Sequence, residues 1–147
     1  MDATQSNDFR EITITRMIDA PREMIFKAWL EPEHLVHWFY ATEGWKTPFA
    51  ETDPKPGGAF RIGFQSPDGK NDFVFAGVYR EVQTPEKLVF VIGDGRPVTV
   101  LLVEDGGKTK LSLTLALETT FSEAQQREGW TAMIVHLAEY LEKIKSE

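Results

Sequence analysis

Three histidines are the side chains here best suited to proton transfer or metal binding near neutral pH. His34 and His37 stand three residues apart, a spacing that puts both on one face of a helix. A metal centre needs more ligands than that pair. The third histidine, His136, lies near the other end of the chain, and there is no cysteine. Disulfides, thiolate zinc sites and a cysteine nucleophile are therefore excluded. The expectation is surface histidines at positions 34 and 37 and no bound metal. Carboxylates pair up at Glu31 with Glu33 and at Glu51 with Asp53. Two converging carboxylates would push one pKa up, but spacing alone does not make them converge, so solvated loop charges are expected. No Gly-x-Ser-x-Gly elbow offers a serine nucleophile. Gly57-Gly58 is not followed by Lys-Ser/Thr, so it is a tight entry into a strand and no phosphate loop. No residue declares an enzymatic role, and no cofactor is expected.

The aromatic residues are more informative. Ten phenylalanines, four tryptophans and three tyrosines make up 12% of the chain, a load that argues against disorder. Trp38, Trp45, Phe60, Phe64, Phe73, Phe75, Tyr79, Phe90 and Trp130 lie on segments expected to face the interior, joined by Met133 and Leu137 near the C-terminus. They read as core, or as the wall of a pocket for a small apolar or aromatic ligand. Candidates for the few polar contacts such a pocket needs are Glu51, Arg61, Thr99 and His136. Strand parity sets Arg61 opposite Phe60, so Arg61 can instead face solvent. His136 lies on the flank of an apolar helical stripe, as a partly exposed residue or a polar group at the pocket rim.

These side chains need elements to position them. Leu111, Leu113, Leu115 and Leu117 alternate with polar residues, the period of a half-buried strand. Phe60, Ile62 and Phe64 repeat that pattern. Phe73, Phe75 and Tyr79 sit in a run that is apolar on both faces. Turn signals at Pro67-Asp68-Gly69, Thr84-Pro85, Gly93-Asp94-Gly95 and Asp105-Gly106-Gly107, with the tight entry at Gly57-Gly58, cut residues 45–118 into a six-stranded meander. One more strand precedes it at Arg10–Met17. Between them, Pro21 and Pro32 each suit the first turn of a short helix. Ser122 and Gln125 form a capping box for a long last helix, with Trp130, Met133, Ile134, Leu137, Leu141 and Ile144 on one stripe. The order β-α-α-β6-α predicts an α+β fold, a curved antiparallel sheet wrapped around the C-terminal helix. A pocket between sheet and helix is the expected consequence.

At 147 residues and 16.7 kDa, one domain over residues 9–147 is expected, behind a flexible tail at residues 1–8. The net charge of −7 makes nucleic acid a poor partner. No signal peptide or membrane span is recognisable, which predicts a cytoplasmic protein. A homodimer through an edge strand or the short helices is a further expectation.

An ordered set of residues carries a family resemblance over about residues 9–145. It comprises Ala20-Pro21, Phe26, Ala28-Trp29 and Pro32-Glu33-x-Leu35-x-x-Trp38, then Pro56-Gly57-Gly58-x-Phe60-Arg61. Gly77-x-Tyr79, Pro85-x-Lys87-Leu88, Gly107-x-Thr109-x-Leu111, Gly129-Trp130 and Tyr140-Leu141 complete it. In these the chain resembles the domain of the activator of the ninety-kilodalton heat-shock protein ATPase, within the START-like (SRPBCC) helix-grip superfamily of polyketide cyclases and birch-pollen-allergen-like proteins. The resemblance implies seven antiparallel strands gripping a C-terminal helix, here as a bacterial-type single domain. It implies three kinds of function: binding a small hydrophobic molecule, association with a chaperone, or cyclase- or hydrolase-like chemistry by polar pocket residues.

Overall fold

The computed structural model describes residues 10–93 and 95–145. The tail expected to be flexible, residues 1–8, and Asp94 of the third turn lie outside them. The elements in chain order are β1 (Glu11–Ile18), α1 (Arg22–Leu30), α2 (Pro32–Trp38), β2 (Lys46–Thr52), β3 (Ala59–Gln65), β4 (Asp72–Gln83), β5 (Lys87–Ile92), β6 (Pro97–Asp105), β7 (Lys108–Ala116) and α3 (Glu123–Lys145). All seven strands form one curved antiparallel sheet in the order β1-β7-β6-β5-β4-β3-β2. Six of them are the expected meander, and β1 returns to pair with β7.

Local chemistry explains these elements. Gly106 and Gly107 hold φ of 60° and 88° between β6 and β7, as a two-residue hairpin turn requires. The capping box at α3 is made in both directions. The Gln125 amide donates to Ser122 Oγ (3.1 Å), and the Ser122 amide donates to Gln125 Oε1 (3.0 Å). Pro32 occupies the first turn of α2, and Pro21 stands just ahead of α1 as its N-cap. Register shifts between Lys46 and Phe49 and between Tyr79 and Glu81 mark bulges, which bend the strands that carry them.

Alternation along the strands sets one face inward. Phe60, Ile62, Val98, Val100, Leu111, Leu113 and Leu115 are buried there with Ile25, Trp29, Leu35, Trp38, Ile134, Leu137 and Leu141 from the helices. Each such side chain contributes roughly 1.5–3 kcal/mol by leaving water. The Trp38 indole N–H donates to the Ala28 carbonyl at 3.0 Å, fixing α2 against α1. Gly77 shows how tightly the inner face is filled. A Cβ there would meet the Val91 carbonyl oxygen at 2.3 Å and the Phe60 ring at 2.8 Å.

Candidate functional site

The sheet's inner face has a filled inner end under α1 and α2 rather than under α3, and an open mouth beside α3. The inner end is a cavity of about 10 Å³ bounded by Trp29, Leu35, Phe39, Phe60, Ile62, Phe75, Tyr79, Leu88 and Phe90. That is about the space of one water-sized sphere. The mouth holds two adjoining clefts that share Ala41 and Met133. One, about 150 Å³, lies between the α2–β2 loop and the sheet, with Tyr40, Trp45 and Phe64 as its rings. The other, about 400 Å³, lies along the first turns of α3, with Phe75, Phe121, Gly129 and Trp130.

Phe75 belongs to both the inner cavity and the larger cleft. Its ring sits within 5.5 to 6.5 Å of the rings of Phe39, Phe60, Phe64, Phe90 and Trp130. At the outer rim Phe73 stacks on Trp45 at 5.8 Å and stays 57% exposed, and Phe121 is 58% exposed. The pocket-wall candidates thus divide by depth. Trp38, Phe60, Tyr79, Phe90 and Leu137 are buried in the core, whereas Trp45, Phe64, Phe73, Phe75, Trp130 and Met133 surround the mouth. Burial pushes the Tyr79 phenol above its ordinary pKa, with the nearby Asp53 carboxylate adding to the effect.

The structure does not bring the polar candidates into the cleft. Glu51 and Arg61 face each other on adjacent strands of the sheet's outer surface, 2.9 Å apart, and Arg61 lies over the Phe49 ring. They fall on the outer parity of β2 and β3, where the sheet meets solvent. Thr99 alternates with the buried Val98 and Val100 and pairs with Thr114, so it too is on the outer face. His136 is 7% exposed, more buried than its place on the stripe's flank suggested. It reaches the α2–β2 loop, where its Nδ1 is 2.6 Å from the Tyr40 carbonyl oxygen and its Nε2 is 2.9 Å from Glu43.

A polar cleft of about 370 Å³ lies outside the grip, between α2 and the second half of α3, lined by His37, Tyr40, His136, Glu139, Tyr140 and Lys143. His34 Nδ1 lies 2.6 Å from the Tyr140 hydroxyl, and the His37 ring stacks on Tyr140. All three histidines therefore meet along this seam. Among the described residues no group of three or more His, Cys, Asp or Glu could hold a metal ion. Burial, then Glu43 and Glu139, hold the Tyr40 phenol above its ordinary pKa.

Sequence reasoning missed Trp29, Phe39, Ala41, Phe121 and Gly129 as lining residues. Trp29 on α1 and the adjacent pair Trp38-Phe39 at the end of α2 carried a signal, as aromatics on short helices that close a sheet. Phe121, in a loop ahead of α3, carried none.

Residues 19–142 match the family described as activator of Hsp90 ATPase homolog 1-like protein. An AHSA1-like protein from Aeromonas hydrophila, solved by NMR, is 31% identical with a TM-score of 0.88, covering 94% of this chain and 96% of its own. A protein from Cytophaga hutchinsonii is 32% identical with a TM-score of 0.76, covering 93% and 95%. A Nitrosomonas europaea protein at 23% identity shares the fold, with a TM-score of 0.83 over 93% and 97%. No curated protein matches the sequence.

Proposed function

The chain belongs to the activator of Hsp90 ATPase homolog 1-like family, and on that premise we propose that it holds a small apolar or aromatic molecule at the mouth of its helix grip. The ring of half-exposed aromatic side chains around an open cleft carries this reading. Trp45, Phe64, Phe73, Phe75, Phe121 and Trp130 leave apolar surface in water there. Apolar surface gathered in one concave place is what a ligand site presents. Gln125, Gln126 and Thr42 supply the few polar groups at its edge. That lining favours binding over cyclase- or hydrolase-like chemistry, which needs converging acids and bases.

Thermal melts with medium-chain fatty acids and naphthalene derivatives test the reading. A ligand present at 100 times its Kd stabilises the fold by about 2.7 kcal/mol, a readily measured rise in Tm. Phe121→Ser should weaken the effect while leaving the free protein's Tm nearly unchanged. A panel that moves neither Tm nor tryptophan fluorescence overturns it.

A second reading is favoured by the family match. The same exposed rings would dock on a ninety-kilodalton heat-shock chaperone. Titrating the protein into such a chaperone, and finding neither a complex nor a change in ATPase rate, overturns that one.

A further inference from the structure

Among the described residues, two buried side-chain nitrogens have no hydrogen-bond partner, Arg22 Nε and Trp29 Nε1. The second is the notable one. Trp29 is 3% exposed and forms part of the wall of the inner cavity. Its neighbour Trp38, with ring centroids 4.8 Å away, has its own indole N–H satisfied by the Ala28 carbonyl. An indole nitrogen is donor only, and a buried donor without an acceptor is costly to the fold. The sheet around it offers closely packed rings, Phe90 among them at 6.3 Å.

We infer that the inner cavity is the deep end of the ligand site and that Trp29 Nε1–H is its hydrogen-bond donor, so that the ligand is an apolar molecule carrying one acceptor oxygen, a ketone or aldehyde in character. This rests on the binding function proposed above and names its ligand class. The space at present fits about one water-sized sphere, so the ligand must displace side chains to enter. Phe75 is placed to give way. It is half-buried and is the side chain common to the inner cavity and the larger cleft. Turning its ring toward the mouth would join the two spaces.

An acceptor oxygen reaching Trp29 would satisfy the orphaned donor. A hydrocarbon of the same shape would leave it unsatisfied. Selection then comes from the protein's unmet bond, because a site built to hydrogen-bond one group rejects the analogue lacking it.

The test compares acetophenone with α-methylstyrene, which replaces the carbonyl oxygen by a methylene of similar size. Both are titrated into ¹⁵N-labelled protein while the tryptophan indole N–H resonances are followed, with Trp29→Phe assigning the Trp29 signal. Acetophenone should bind about five- to tenfold more tightly, the worth of one net hydrogen bond, and should shift the Trp29 indole resonance downfield. If both probes bind equally, with shifts at Trp45 or Trp130 and none at Trp29, the inference falls and the mouth remains the binding site. If neither probe moves any indole signal, nor do the fatty acids and naphthalenes, the binding function falls and the inference with it. The wild-type comparison stands even where Trp29→Phe fails to fold.

Discussion

A carbonyl oxygen can only accept a hydrogen bond, so His136 Nδ1 must donate to Tyr40, while Nε2 faces the Glu43 carboxylate. The two bonds differ in setting. The Tyr40 contact is made by a ring 7% exposed, whereas the Glu43 side chain is 86% exposed. His136→Ala should therefore cost about 1–3 kcal/mol by stranding a part-buried acceptor and emptying a buried site, read by urea denaturation. Glu43→Gln should cost less than about 1 kcal/mol, because the exposed Glu43 side chain keeps most of its water in either case. Hydrogen exchange in residues 41–45 should quicken in the first variant, since His136 ties that loop to α3. The tryptophans divide in the same manner. Trp38→Ala should cost about 3–5 kcal/mol, the range for fully buried rings. Trp130→Ala should cost clearly less, because Trp130 is only partly buried at the mouth.

At the scale of elements, the meander was legible because β3 and β7 carry a clear period of two and each turn its own glycine or proline. Parity with Phe60 offered the outward position of Arg61 as an alternative to the pocket contact it was expected to make. The mouth was not legible. Phe73 and Phe75 share one face of β4, and the positions of Phe39 and α3 decide that Phe75 is covered and Phe73 is not. Likewise His136 and Glu43 are far apart in sequence, and no local pattern links them. Two element-level variants follow. Ser122→Ala removes one half of the α3 capping box and should cost about 1 kcal/mol. Gly77→Ala forces a methyl against the Val91 carbonyl and the Phe60 ring, and should cost about 1–3 kcal/mol as overpacking does.

For the whole molecule, the raised pKa of Tyr79 sets an alkaline limit. Its phenol keeps its proton in the folded state to higher pH than in the unfolded chain. The folded state then binds more protons above the ordinary tyrosine pKa, near 10, and stability must fall as pH rises through that region. This stabilisation is fully present below pH 10. Tyr79→Phe should flatten the decline, measured as Tm from pH 9 to 11. Tyr40, raised in the same direction, contributes a remaining slope.

The pairing of β1 with β7, from Glu11↔Ala116 to Ile18↔Thr109, has a consequence for the order in which the protein is made. The strand that leaves the ribosome first waits for nearly the last one. At about 5–20 residues per second, Ile12, Ile14 and Ile18 spend several seconds without the partner that covers them. The strands from β2 to β6, built from neighbours in sequence, can assemble meanwhile. Closure of the sheet by β1 is thus a late event, and the newborn chain carries an unpaired apolar strand until it happens.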